Sequence, residues 1–348
     1  MGTPIRLDPE IRGNDAERLK TRLEHMVIGQ EEAVAKVVDY YQLYRTGLNA
    51  PGRPIANLLF AGPTGCGKTR LVEALAECLV NDPKAVIKID CGEFQHSHEI
   101  AKLIGSPPGY LGHRETHALL SQDALDQFQT ETVKVSFVLF DEIEKASDAL
   151  WNLLLGILDK AVLTLGDNRK VDFSRAMIFM TSNVGAANME AIMKPRIGFA
   201  NTSAAAPGKI ANAAVEAARR KFTPEFINRL DKIVVFNALG ARELRRIVDL
   251  ELDNIAERIA AQPGRPQFEL SVTPAAKDFL LREGTDARYG ARHLKRAVDR
   301  LLVHPLANLI GSDQVHGGDI VLADYRSGDR AMQFARIGEP VAYGAEAA

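Results

Sequence analysis

The stretch GPTGCGKT (62–69) sets glycines at 62, 65 and 67 ahead of a lysine at 68 and a threonine at 69. This is the spacing G-x-x-x-x-G-K-S/T. Glycines let backbone N–H groups turn inward around phosphate oxygens, and the helix that follows adds the positive end of its dipole. In such a loop Gly62, Pro63, Thr64, Gly65, Cys66 and Gly67 wrap the phosphates, Lys68 reaches the β- and γ-phosphates, and the Thr69 hydroxyl binds Mg²⁺. A chance glycine-rich turn is the competing reading. Average residue frequencies produce the pattern by accident in roughly one chain of this length per hundred, and a strand before it with a helix after it lowers that further.

Two more stretches complete the chemistry. VLFDEIEKAS (138–147) is an apolar run ending in two carboxylates. Alone it proves little. Beside a phosphate loop, Asp141 holds the hydrated Mg²⁺ and Glu142 polarises an attacking water. A second carboxylate at that place suits a hydrolase better than a transferase. MTSN (180–183) ends the next apolar run with Asn183, placed to orient the same water; an asparagine capping a strand is the plain alternative. Cys66 sits inside the phosphate loop. A thiol at a helix N-terminus is open to a lowered pKa and hence to redox inhibition, against the simpler reading of a small residue filling a tight turn.

The elements that must position these groups are legible as periodicity. Five short apolar, β-branched-rich runs stand out: IANLLF (55–60), AVIKID (85–90), VSFVLF (135–140), AMIFMTS (176–182) and KIVVF (232–236). Four of them lack the in-out alternation of a half-exposed sheet, and helical segments lie between them. That predicts an α/β fold with a five-stranded parallel sheet covered on both faces. TRLVEALAECLV (69–80) carries Leu71, Leu75 and Leu79 on one helical face, and DALWNLLLGILDKAVL (148–163) reads as a second helix. A loop without periodicity is expected from Asn188 to Ile210. Beyond Phe236 three segments, 238–261, 273–284 and 290–310, read as helical. The expected organisation is an N-terminal linker or helix (1–25), a large α/β domain (26–237), a small helical domain (238–328) and a flexible tail (329–348).

Bulk properties narrow the classes. At 348 residues, 46% hydrophobic and 25% charged, the chain suits a large domain plus a smaller one. A net charge of −2 supplies no field for nucleic acid or for an anionic membrane. The three cysteines, Cys66, Cys78 and Cys91, are too far apart for paired metal knuckles and suit a reducing compartment. No run approaches the length of a membrane span, so a cytoplasmic location is expected.

Read in order, VIGQEEAV (27–34), GPTGCGKT, GSPPGYLG (105–112), VLFDEIEKA, MTSN, FTPEFINRLDKIVVF (222–236) and RYGARHLKRAV (288–298) resemble the Clp-type AAA+ unfoldases. The match is to the second ATPase module of the ClpA/ClpB/ClpC group and runs almost end to end. The resemblance implies ATP with Mg²⁺, and an adenine pocket lined by Val27, Ile28 and Gly29. Arg292 becomes a sensor arginine on a helical lid, facing the γ-phosphate of its own subunit. Arg229 becomes a finger inserted into a neighbouring subunit of a homo-hexamer. Tyr110 and Leu111 become a loop gripping an unfolded or tagged protein in a central pore, where a planar amphipathic ring holds an extended chain through area rather than side-chain identity. TLGDNRK (164–170) would form a second such loop.

The resemblance also implies an activity: ATP-driven threading of polypeptide. RIGF (196–199) is similar to the loop by which some members dock a ClpP-type peptidase, with Ile197, Gly198 and Phe199 as the docking tripeptide; an anchor packed on its own domain is the rival reading. The recognition domains and middle coiled coil of other members are not in this sequence, so disaggregation is not expected. A stand-alone remodeller without a protease stays open, as does an ATP-gated switch. A nucleic-acid motor is disfavoured by the charge.

Overall fold

The computed structural model describes residues 7–106, 118–186, 207–262, 266–285 and 290–337. It divides into two compact units, Met1–Ala238 and Leu239–Ala348.

The first unit is built on five parallel strands: Ala56–Ala61 (β1), Ile87–Asp90 (β2), Ser136–Asp141 (β3), Ala176–Ser182 (β6) and Lys232–Val235 (β7), in the order β2-β3-β6-β1-β7. Alternate residues of the inner strands feed two separate cores. Leu58, Phe60, Phe137, Leu139, Met177 and Phe179 enter one. Leu59, Val138, Phe140, Ile178 and Met180 enter the other. With both faces covered, every residue can be apolar, which is why the sequence shows continuous runs instead of alternation.

Helices Asn14–Met26 (α1), Glu31–Arg45 (α2) and Lys68–Val80 (α3) supply the first core, and Asp148–Lys160 (α4) the second. The register sets Phe60 beside Thr181 and Ala61 beside Ser182, and Phe140 beside Met180. The C-terminal ends of β3, β6 and β1 therefore lie in one row. A crevice outside those ends is where parallel α/β sheets bind their ligands.

Two boundaries differ from expectation. The helix predicted over 148–163 stops at Lys160, because Ala161 takes a left-handed φ of 52° and turns the chain. Val162–Thr164 (β4) and Lys170–Asp172 (β5) then form an antiparallel hairpin, with residues 164–170 as its tip. The loop expected to Ile210 ends sooner, since helix Pro207–Lys221 (α5) begins inside it.

The second unit carries the predicted helices: Ala241–Ala260 (α6), Pro274–Gly284 (α7), Ala291–Val298 (α8) and His304–Gly311 (α9). It also holds a three-stranded sheet that helical periodicity hid. Glu269–Val272 (β8) pairs in parallel with Ile320–Asp324 (β9), and β9 pairs antiparallel with Gln333–Ile337 (β10). These strands are four or five residues long, and β10 is an exposed edge bearing Arg336. Their shortness left them unmarked, and β8 and β10 lack a buried apolar run. β10 also lies inside the stretch expected to be a flexible tail.

Candidate functional site

Gly62 starts the loop after β1 in a place where no side chain fits. A Cβ there would lie 2.6 Å from the Phe236 carbonyl oxygen. The backbone is held by Gly62 N–H to the Ser182 carbonyl (3.2 Å) and Phe236 N–H to the Ala61 carbonyl (2.8 Å). The loop ends at Gly67, whose φ of 102° turns the chain into α3.

Lys68, in the first turn of α3, is buried. Its ammonium donates to the Gly62 carbonyl (2.7 Å), the Pro63 carbonyl (2.8 Å) and Asn183 Oδ1 (2.9 Å). Asn183 Nδ2 in turn lies 3.3 Å from Glu142 Oε1. The ends of three adjacent strands thus bring together Lys68, Asn183 and Glu142. Thr64 Oγ1 also reaches Asn183 Oδ1, at 3.4 Å.

Residues that the motif spacing did not single out fix the acidic turn. Thr181, buried on β6, donates its hydroxyl to Asp141 and accepts the Glu142 N–H at 2.9 Å. The Asn183 N–H donates to Glu144 Oε1 at 3.0 Å. Lys145 forms an ion pair with Glu142 Oε2, and this hydrogen-bonded contact holds the lysine's pKa above its ordinary value. Thr181 and Glu144 both stand inside stretches quoted for other residues, so the only clue was their distance of two residues from a named one.

Thr69 and Asp141 offer oxygen ligands, the kind a hard divalent cation takes. Glu144 Oε2 is buried without a hydrogen-bond partner among the described residues, and with Asp141 and Glu142 it leaves the turn rich in negative charge. Both observations fit Mg²⁺.

On the side of α1 and α2, Val27 and Ile28 are buried. A Cβ at Gly67 would lie 3.6 Å from Val27 Cγ1, so the expected adenine-pocket segment abuts the loop. Gln30 locks it there. Its amide donates to the Cys66 carbonyl (3.1 Å) and the Asn237 carbonyl (2.9 Å) and accepts the Asn237 N–H (3.0 Å). Sequence reasoning passed over this residue although it stands in the quoted VIGQEEAV block.

Cys66 is 3% exposed. Burial pushes its thiol up, outweighing the opposing pull of Lys68. The helix-terminus argument for a reactive thiolate therefore fails: desolvation wins. The native protein is expected to resist thiol-labelling reagent at Cys66 at neutral pH, and to label it only on unfolding; rapid labelling of native Cys66, read by peptide mass, would show the opposite balance.

The remaining expected residues are not gathered here. Arg229 follows the short helix Pro224–Ile227. Its guanidinium lies 3.1 Å from Glu225 Oε1 and donates to the Glu225 carbonyl at 3.1 Å. Its own carbonyl lies 3.3 Å from Asn57 Nδ2 and 3.3 Å from an Arg53 nitrogen. Asn57 is the second residue of β1, whereas the phosphate loop leaves the other end. At about 3.3 Å per residue, Arg229 sits roughly 15 Å from the loop of its own chain. Arg292 lies in the second unit, exposed on the first turn of α8. Tyr110, Leu111, Ile197, Gly198 and Phe199 lie outside the described residues.

Five parallel strands, a phosphate loop between β1 and a helix, and acidic and amide groups ending β3 and β6 define a P-loop nucleotide-binding module with an appended small unit. Residues 53–233, more than half the chain, match the model of the AAA domain (Cdc48 subfamily), and residues 221–323 match that of the C-terminal, D2-small domain of ClpB protein. The chain belongs to this AAA family, as a Clp-type module. It is 38% identical over 323 residues to the chaperone protein ClpB of Bdellovibrio bacteriovorus, covering 92% of this chain and 35% of that protein. To the ATP-dependent Clp protease ATP-binding subunit ClpC of Staphylococcus saprophyticus it is 37% identical, over 92% of this chain and 38% of that one. The S. cerevisiae Hsp104:casein complex in its extended conformation superposes with a TM-score of 0.76 at 31% identity, covering 89% of this chain and 51% of that one. The chain thus spans little more than a third of the length of these curated relatives. Among the described residues no helix is long and apolar enough to cross a membrane.

Proposed function

We propose that this chain is an ATP-hydrolysing module that works as a homo-hexamer in the cytoplasm and uses turnover to move unfolded protein through a central pore. The observation that carries the reading is the line Lys68–Asn183–Glu142 at the ends of three adjacent strands. Lys68, already desolvated and surrounded by carbonyl oxygens, is placed to exchange those contacts for β- and γ-phosphate oxygens. Thr69 and Asp141 would hold Mg²⁺, which neutralises the charge on the transferring phosphoryl group. Glu142 is the group that takes a proton from the attacking water. Asn183 orients that water and keeps the carboxylate aimed.

Arg229 is the group donated to the next subunit, and Arg292 the sensor of its own. Tyr110 and Leu111 are the grip on the substrate. Ile197, Gly198 and Phe199 form the dock for a ClpP-type peptidase, a reading supported by the ClpC relative. The ClpB relatives favour the second reading, a remodeller without a peptidase.

Two additions to one assay separate these. ATP turnover is measured alone, with casein as an unfolded protein, and with single-stranded DNA. Casein is expected to raise the rate several-fold and DNA to leave it unchanged; a rate indifferent to casein would overturn the translocase reading. Adding a ClpP-type peptidase is expected to degrade casein with the native chain and not with Phe199→Ala. Intact casein in both would leave the remodeller.

A further inference from the structure

Helix α4 touches both chemically important places of its chain. In its first turn stands Trp151, the one tryptophan in the sequence. Its indole Nε1 donates to the Ile143 carbonyl at 3.1 Å. Ile143 follows Glu142 directly, and the same carbonyl accepts the Ala146 N–H at 3.2 Å, so the indole braces the turn that carries the glutamate. In the last turn of α4, the Leu158 carbonyl accepts Asn57 Nδ2 at 3.0 Å. That amide nitrogen is also the one 3.3 Å from the Arg229 carbonyl.

A second route runs beside the helix. The indole packs on Phe222 and Phe226 with centroids 5.6 and 6.3 Å away, and these rings lie 5.4 Å from each other. Both phenylalanines are buried. The Arg229 N–H donates to the Phe226 carbonyl at 3.1 Å. A helix of this length spans about 20 Å, and α4 is an unbroken α-helix with no proline to kink it. A close-packed interior transmits displacement instead of absorbing it. A shift of the Glu142 turn therefore reaches the base of Arg229 through two sets of contacts, both beginning at Trp151.

We infer that Trp151 is a positioning residue that couples the Glu142 turn of one subunit to its Arg229, and through Arg229 to the nucleotide site of the next subunit. The inference rests on the reading of Arg229 as a group acting on a neighbour. A phenylalanine would fill much the same apolar space, so the indole donor is what distinguishes a coupling role from core filling.

The test uses the full chain, assembled in the presence of nucleotide. Because Trp151 is the only tryptophan, emission comes from this indole and its surroundings, and it is expected to differ between ATPγS and ADP. Trp151→Phe keeps the packing and removes the donor. It is expected to leave KM for ATP within about twofold and to lower kcat about three- to tenfold, the effect of one net hydrogen bond. In a cycle with Arg229→Lys, the two effects on kcat are expected not to add. Emission blind to nucleotide, an unchanged kcat in Trp151→Phe, or an additive cycle would each overturn the proposal, even if the melting temperature falls, since packing alone would then account for the residue. Wild-type turnover in Arg229→Ala would overturn the underlying reading of Arg229, and that result is obtained without altering Trp151.

Discussion

Arg229→Ala is expected to bind ATP within about twofold of the wild type and to lose ~10³-fold or more in turnover, the scale on which an arginine finger acts. The magnitude follows from where the side chain is. Arg229 hangs at the β1 end opposite the phosphate loop, anchored by its carbonyl to Asn57 and Arg53. One strand length separates its backbone from the phosphate loop of its own chain. In the single chain its guanidinium rests on Glu225, a partly exposed i,i+4 contact of the kind worth only about 0.3–0.5 kcal/mol. That is little to give up for a phosphate oxygen in a neighbour's site, and for the same reason the substitution should hardly change stability. Mixing offers the decisive check. On the proposed reading, a ring of Arg229→Ala chains would have intact sites and no fingers, and a ring of Glu142→Gln chains would have fingers and no base. Co-assembled, they are expected to recover a fraction of the wild-type rate. Absence of recovery in mixed rings of verified composition would refute action in trans.

Glu142→Gln is expected to retain ATP and to lower kcat by about 10²- to 10⁴-fold, the usual contribution of a positioned general base. Glutamine keeps the size and the hydrogen bond to Asn183 that Glu142 makes at 3.3 Å, so a fall in rate can be assigned to the lost negative charge. It also removes the ionic half of the contact with Lys145. A residual rate above a tenth of wild type in a quenched single-turnover assay would mean another group takes the proton, and Glu144, with one buried oxygen lacking a partner among the described residues, would be the next to examine.

Much of the large unit was readable in advance for one reason. A parallel sheet buried on both sides writes itself as uninterrupted apolar runs, and all five runs became strands within a residue or two. The phosphate loop was equally open, because a backbone that wraps an anion restricts residue type at fixed positions. What stayed hidden was whatever depends on side chains meeting from distant parts of the chain. Gln30 is an unremarkable glutamine until Asn237, far away in sequence, closes on it. Thr181 is a polar residue in an apolar strand until Asp141 lies beside it. The Cys66 argument failed because a dipole is visible in sequence whereas desolvation is not. The small sheet of the second unit escaped because β8 and β10 bury too little to leave an apolar signature.

Glu142 occupies left-handed backbone, with φ 55° and ψ 48°. A residue with a side chain there gives up roughly 1–2 kcal/mol against its preferred conformation, which glycine would recover in full and asparagine in part. This turn is therefore occupied by a residue poorly suited to it, held by Thr181 and the Ile143 turn around it. Selection for heat resistance alone would favour glycine at this position, and on the proposed reading of Glu142 the more thermostable variant would be the inert one. On the proposed reading, the carboxylate at 142 is therefore held against the preference of its own backbone, and only turnover, not persistence of the fold, would be served by it.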